Sequence, residues 1–294
     1  MLQNISIHPA TECIENPQFS MLIPSWNNLK YLELCINSIR KNSFFQHQII
    51  VVVNEGADGT LEWVKSQKNI DYVYARSNIG ICYALNACRS LIKTQYVTYA
   101  NDDMYFLPNW DQSLQNQISE LGHNSFMLSA TMIEPRGNND CAVIANYGDG
   151  IETFDQARLL KEYTTLYRAD WSGSTWPPSI MHIDCWDLVG GMSIEYSPGM
   201  YSDPDLSFKL WTIGVRTFIG KGNSLVYHFG CKSTGRVKKN KGYKSFTIKW
   251  GMSSKTFMVK YLLRGQAAQK DLQDVHLTQL DKLKQFFKKL KSIV

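Results

Sequence analysis

The segment Gln48-Ile-Ile-Val-Val-Val53 constrains this chain more than any other, because its apolar residues run on without a polar alternation. A strand of this kind is buried on both faces, as a central strand of a parallel sheet is when helices cover either side. Its neighbours suit that setting. Phe19-Ser-Met-Leu-Ile23 is a second short apolar run, bounded by Pro24, and Asn27-Asn28 precede a helical pattern with Leu29, Leu32, Ile36 and Ile39 on one face. After Val53, the turn Asn54-Glu-Gly-Ala-Asp-Gly-Thr60 leads into a helix around Leu61–Lys65. A short strand near Tyr72–Tyr74, a helix over Ile81–Leu91 and a strand at Tyr96–Ala100 follow. This alternation predicts βαβ units and an α/β fold with a mostly parallel central sheet flanked by helices.

The strand Tyr96–Ala100 runs straight into Asn101-Asp102-Asp103. Ligands of open α/β sheets bind beyond the carboxyl ends of the strands. Two adjacent carboxylates placed there repel each other unless a cation sits beside them, and a hard divalent ion with oxygen ligands is the natural partner. The alternative is simple helix capping by an acidic pair. Downstream, Phe126–Ile151 is irregular and rich in Asn, Gly and Asp, which suggests loops and short strands around a cleft. Asp170–Pro178 is turn chemistry carrying Trp171 and Trp176. A helix is expected at Cys185–Val189, stopped by Gly190-Gly191. A second acidic cluster, Ser202-Asp203-Pro204-Asp205, opens a helix over Leu206–Trp211, and Ser224–Gly230 reads as a strand with His228 near its end.

The seven cysteines are odd in number and form no CxxC pair, which argues against a disulfide framework or a structural zinc site and suits a reducing compartment. The first residues have neither a basic region nor a long apolar run, so no signal peptide is expected. No apolar stretch approaches the roughly 20 residues that span a bilayer. The expected setting is the cytoplasm, with peripheral contact at the inner face of the membrane. Charge is split unevenly. From Cys231 onward there are 16 Lys+Arg against 3 Asp+Glu, whereas the first 230 residues carry 15 against 23. A basic tail of this kind meets something anionic. Lys232–Lys244 reads as a mobile basic stretch. Gln279–Val294 places Leu280, Leu283, Phe287, Leu290 and Val294 on one helical face, with lysines mostly elsewhere. Such a helix either lies in a membrane interface or packs on the body of the protein with its lysines in water. The chain divides accordingly at 1–230 and 231–294.

Over Phe19 to Gly230 the sequence resembles the inverting family 2 glycosyltransferases of GT-A fold. Ser20-Met-Leu-Ile-Pro-Ser-Trp-Asn27 is similar to the family's opening strand and loop, and Val51–Thr60 to its second strand and Asp/Gly turn. Asn78-Ile-Gly80 with Asn86-Ala87 matches the Asn-x-Gly…Asn segment. Tyr99-Ala-Asn-Asp-Asp-Met-Tyr-Phe-Leu-Pro-Asn-Trp110 matches the DXD region. Gly190-Gly191 and Ser202–Leu206 are similar to the segments around the catalytic base. One departure concerns the nucleotide base: where the family commonly has an aspartate, this chain has Val53, so Asn54 or Glu55 is expected to take over base recognition.

The resemblance implies a nucleotide diphosphate sugar donor, a UDP-sugar in the first place, and a glycan or lipid-linked glycan acceptor. It implies Mn²⁺ or Mg²⁺ as cofactor, with Asp103 as direct ligand and His228 as a further ligand, structural packing being the alternative for that histidine. Asp102 would contact the ribose or a metal-bound water. Asp203 is the expected general base, with Asp205 as its rival. Pro24, Ser25, Asn27, Asn54, Glu55, Asp58, Arg76, Asn78, Gly80 and Asn86 would form the donor pocket, and Trp171 and Trp176 would pack on sugar or simply on the core. Three other readings fare worse. A sugar nucleotidyltransferase would need a glycine-rich loop where Pro24–Asn28 has no glycine. Nucleic-acid binding would need a reading module that the sequence lacks. An inactive sugar-nucleotide-binding scaffold would not need Asp102, Asp103 and Asp203 together.

Overall fold

A computed structural model describes residues 4–230 and 240–293. Its first half contains β1 (Ile5–His8), β2 (Ser20–Trp26), α1 (Leu29–Asn42), β3 (Gln48–Asn54), α2 (Thr60–Ser66), β4 (Ile70–Ala75), α3 (Gly80–Ala87) and β5 (Tyr96–Tyr99). There follow β6 (Met104–Phe106), α4 (Trp110–Leu121), β7 (Phe126–Glu134), β8 (Val143–Ile144), α5 (Gln156–Glu162), β9 (Trp171–Ser172) and β10 (Ser179–His182). The series continues with α6 (Ile183–Leu188), α7 (Ser202–Thr212) and β11 (Thr217–His228), then α8 (Gly242–Trp250), the short α9 (Ser254–Thr256) and α10 (Gln279–Ile293).

One sheet gathers the strands in the order β1-β4-β3-β2-β5-β10-β7-β11-β6, with β8 beside β7 and β9 beside β11. The contiguous block β4-β3-β2-β5 is parallel, as is the β7–β11 pair, while β1, β10, β6 and β9 run antiparallel to their neighbours. The apolar run of β3 is covered on both faces, as its composition requires. Ile50 and Val52 pack with Leu85 of α3 and with Leu206 and Leu210 of α7. Ile49, Val51 and Val53 pack with Leu32, Ile36 and Ile39 of α1 and with Leu114 of α4. Each buried Val, Ile or Leu contributes about 1.5–3 kcal/mol.

Three sequence expectations change. Pro24 does not end β2, which continues to Trp26 with Pro24 opposite Val52 of β3. Leu22 O accepts from Ala100 N, so the even-numbered residues of β2 turn their backbone groups towards β5, and β5 pairing stops at Tyr99 opposite Leu22. The N–H that Pro24 lacks would have faced an open edge, where a proline costs no ladder bond. Phe126–Glu134, expected to be irregular, is a nine-residue strand inside the sheet. Buried Ser129 and Thr131 interrupt the apolar run that marks β3, and burial of most of the strand leaves no alternation in its place. Finally, α7 starts at Ser202 rather than Leu206. The first helical turn needs no internal N–H donors, so Pro204 is tolerated there, and acidic residues suit the positive end of the helix.

The stretch after Asn240 is built into the body. Phe246, Phe257, Leu262 and Leu272 belong to the same core as α7, and Phe208 stacks on Trp250 at 4.3 Å. Ser172 N donates to Gln266 O and Gly265 N to Ser172 O, each at 2.9 Å, which lays residues 265–268 along β9. The basic stretch Lys232–Lys239 lies outside the described residues. α10 is packed inside out. Its buried residues are Gln285 and Ser292. Gln285 accepts from Ser253 N and donates to Thr256 Oγ1, both at 3.0 Å. Leu280, Leu283, Phe286, Phe287, Leu290 and Ile293 are all exposed. No helix among the described residues is long and apolar enough to cross a membrane.

Candidate active site

Sheet register brings the acidic turn to a histidine. β6 pairs antiparallel with β11, setting His228 opposite Met104, and Phe229 N donates to Asp103 O at 3.1 Å. Asp103 Oδ1 then lies 3.4 Å from His228 Nε2, both side chains being almost fully buried. On the other side β7 runs parallel to β11 with Ile133 opposite Tyr227, so the next residue, Glu134, comes beside His228. Its Oε1 is 3.3 Å from His228 Nδ1. The imidazole beside it holds the Glu134 carboxyl below the ordinary carboxylate range, against the opposing effect of burial.

An imidazole between two carboxylates has two consistent states. It is doubly protonated and bridges both, or it is neutral, donates from Nδ1 to Glu134 or from Nε2 to Asp103, and turns its other nitrogen's lone pair towards the second carboxylate. In the second state a lone pair faces a carboxylate oxygen, an arrangement that a cation bound to both atoms relieves. A carboxylate behind a histidine, fixing its tautomer, is the usual support for a metal-binding imidazole. Asp103 and His228 therefore fit a divalent ion as a pair of protein ligands. Among the described residues no group of three or more His, Cys, Asp or Glu side chains is placed to hold a metal. Further ligands would have to come from substrate, as Mg²⁺-type sites commonly arrange with phosphates.

Glu134 was not foreseen in the sequence, nor was what stands behind it. Asn139 Nδ2 donates to Glu134 Oε2 at 3.4 Å, and Arg264 Nη2 donates to Asn139 Oδ1 at 2.6 Å. The Arg264 guanidinium also lies over the Trp176 ring, 4.4 Å from its centroid. Gly173, at φ +96°, allows this approach, because a Cβ there would come within 2.6 Å of Arg264 Cα. A strand-end reading of Phe126–Glu134 could have found Glu134. Arg264 comes from the far end of the chain and leaves no local signal.

The residues expected around the nucleoside gather at the ends of β2 and β3. Ser25 Oγ is buried without a hydrogen-bond partner in the protein, which suits a ligand contact. Asn27 Nδ2 donates to Glu55 Oε2 at 3.1 Å, and Asn27 Oδ1 accepts from Ala57 N at 2.8 Å. Asn54 Oδ1 accepts from Ile79 N, Glu55 Oε1 from Asn78 N and Asn78 Oδ1 from Gly80 N. These bonds shape one loop system. Asp58 serves its turn: it accepts from Leu29 N, Thr60 N and Thr60 Oγ1, and these bonds outweigh burial and lower its pKa. Arg76 is exposed beyond the end of β4. Gly80, at φ +72°, admits the loop carrying Ser197 and Pro198, since a Cβ would meet Ser197 Oγ at 2.4 Å. Asn86 clasps the backbone of Met192 through both amide atoms, at 2.8 Å each, and so anchors the Gly190-Gly191 loop. Trp171 is a core residue: its indole donates to Thr131 Oγ1 at 2.8 Å, and Gly220 leaves the space its ring fills.

The two carboxylates at the head of α7 differ sharply. Asp205 is fully buried and accepts from Ser193 Oγ at 2.5 Å and Trp250 Nε1 at 2.7 Å, with Lys249 Nζ at 2.9 Å. It is committed to holding α8. Asp203 is half-buried, and burial pushes its carboxyl up to about 7. A carboxylate that gains a proton near neutrality is suited to proton transfer.

Comparison with solved structures finds the same fold. Residues 1–349 of TarS from S. aureus, in complex with UDP-GlcNAc, match at a TM-score of 0.58 and 14% identity, covering 94% of this chain and 72% of that one. A second TarS structure matches at a TM-score of 0.56 and 12% identity, and this chain covers 43% of it. GalNAc-T7 with UDP, GalNAc and Mn²⁺ matches at 0.54 and 14% identity, over 76% of this chain and 44% of the other. Mannosyltransferase PcManGT from Pyrobaculum calidifontis, with GDP-Man and Mn²⁺, matches at 0.50 and 14%, over 83% and 63%. No curated protein matches this sequence. The model of one sequence family, glycosyl transferase family 2, matches residues 20–167, from β2 through the Asp102-Asp103 turn and β7, and to this family the chain belongs.

Proposed function

We propose that this chain is a metal-dependent, inverting transferase. Its donor is a nucleotide diphosphate sugar, with UDP as the expected nucleotide, and its acceptor is a hydroxyl of a glycan or lipid-linked glycan. The observation that carries the reading is the buried pair Asp103–His228 beyond the strand ends, combined with a half-buried Asp203 whose carboxyl is pushed up to about 7. Asp103 and His228 would hold Mn²⁺ or Mg²⁺, and Glu134 would fix the histidine. Bound there, the ion supplies neutralising charge to the diphosphate leaving group. Asp102 would meet the ribose, and Ser25, Asn27, Asn54 and Glu55 the nucleoside. The structural neighbours that hold UDP, UDP-GlcNAc or GDP-Man support a donor of this class.

Asp203 accepts the proton of the acceptor hydroxyl as that oxygen attacks the anomeric carbon. The bond to the diphosphate breaks on the opposite face, so the configuration inverts. The segment carrying Asp203 is tied to the donor loop: Ile81 N, at the head of α3, donates to Pro198 O at 3.0 Å. Donor and base are thereby held in one frame, which is how positioning lowers a barrier.

Residues 1–230 would carry this chemistry and 231–294 would bring it to its acceptor. The outward apolar face of α10 supports peripheral membrane contact at the inner face, and with it the synthesis of a surface polysaccharide such as O-antigen or capsule on a lipid carrier. The decisive experiment presents purified protein with Mn²⁺ or Mg²⁺ and a panel of nucleotide sugars and reads nucleotide diphosphate release. Metal-dependent release from one donor, lost in Asp103→Ala and Asp203→Ala, is expected. Neither binding nor turnover with any donor would move the reading to a catalytically inactive scaffold. Unchanged liposome binding after deletion of Gln279–Val294 would remove the membrane part.

A further inference from the structure

A cleft of about 490 Å³ opens between the start of α7 and the helices α8, α9 and α10. Its lining includes Lys255, Lys288 and Lys291, with Tyr201, Tyr243 and Ser254. Among the described residues, no acidic side chain lines it, and none of the three ammonium groups has a carboxylate within ion-pair distance. Among the described residues, the hydrogen bond that Lys288 Nζ makes is to the Ser253 hydroxyl, at 3.1 Å. Three like charges around one concavity give it a positive potential that favours an anion.

The cleft also stands in a telling place. Tyr201 lines it and lies two residues before Asp203, at the head of the same helix. Lys288 and Lys291 come from α10. At 100° per residue, the side of α10 holding Gln285 and Ser292 lies about 150° from the middle of the exposed apolar arc Leu280–Ile293. A helix resting on an apolar medium by that arc would hold the cleft immediately behind it.

We propose that this cleft binds a phosphate or diphosphate group of the acceptor, with Lys255, Lys288 and Lys291 as its charge partners, and so presents the acceptor hydroxyl to Asp203. Its placement as an acceptor subsite rests on the proposed role of Asp203. Compact ammonium groups and nearby hydroxyls suit the several oxygens of a phosphate, which holds its negative charge in a small volume.

The test uses the full chain in divalent-free buffer, titrated with inorganic diphosphate by calorimetry. Saturable binding is expected, weakened at least about tenfold in K255Q/K288Q/K291Q and restored in K255R/K288R/K291R. The exposed Lys255→Glu alone gives a second variant should the triple change disturb folding, and the same direction is expected. UDP binding in the presence of Mn²⁺ is measured in parallel and should be unchanged in every variant. Its failure in the unaltered protein would count against the donor reading and not against the cleft. Vesicles of phosphatidylcholine with phosphatidic acid separate the sources. Displacement of the protein from them by diphosphate assigns the cleft to a lipid phosphate, and persistence on them assigns it to a phosphate on a soluble glycan. Absence of saturable diphosphate binding, equal affinity in the folded charge-removed variants, or equally tight binding of polyglutamate would overturn the proposal.

Discussion

Asp203→Asn separates the two consequences of burying a carboxylate at the head of α7. In the unfolded chain an aspartate titrates near its ordinary value of 3.8, whereas in the folded protein Asp203 titrates near about 7. The folded state therefore holds its proton more tightly. Stability is lost as pH rises from 3.8, the loss grows until about 7, and above that it is constant. The shift of about 3 pKa units corresponds to roughly 4 kcal/mol, and partial contact with water reduces the expected cost to roughly 1–3 kcal/mol. The Asp203→Asn side chain cannot ionise and does not bear this cost. Urea unfolding should find the variant more stable than the parent by that amount at about pH 8 and nearly equal to it at about pH 4. Turnover should behave oppositely. The parent kcat/KM should rise about tenfold per pH unit and level off above about 7, while the variant loses about 10²–10⁴-fold. A stability gap independent of pH would refute the burial argument, and near-parental turnover by the variant would remove Asp203 as the base.

The remaining predictions concern the residues around it. Glu134→Gln should weaken the Mn²⁺ requirement curve by about 10–100-fold while moving the donor KM much less, because it acts through His228. Asp103→Ala should reduce metal-supported turnover by at least about 10²–10³-fold, read by nucleotide diphosphate release. Asp205→Ala leaves the Trp250 indole and the Ser193 hydroxyl without their acceptor while Lys249 keeps Glu195, and chemical denaturation should show a loss of about 1–3 kcal/mol. Gly220→Ala places a methyl group 1.9 Å from the Trp171 ring, and the forced shift should cost about 1–3 kcal/mol in the same assay.

What was legible in the sequence came from local pattern. The doubly apolar run of β3, the helical faces of α1 and the strand ending on Asn101-Asp102-Asp103 each carry their meaning within a few residues, and together they specify the parallel block β4-β3-β2-β5. β7 escaped because buried Ser129 and Thr131 break its apolar run without leaving an alternation, and the early start of α7 because a proline in the first turn looks like a breaker. Asp203 and Asp205 are equivalent as letters, and only packing distinguishes them: Lys249 and Trp250, some 45 residues on, occupy one and not the other.

The same holds for the site as a whole. The sequence by itself determined that β2 and β3 are central, where the paired carboxylates fall and that the last helix has an apolar arc, since these follow from residue spacing along one element. Tertiary structure alone decided that His228 lies between Asp103 and Glu134, that Arg264 stands behind Asn139, and that α10 turns its polar side inward. These depend on the register of β6 and β7 against β11 and on how distant helices dock. Such contacts join residues far apart in the chain, whose energies no local spacing encodes.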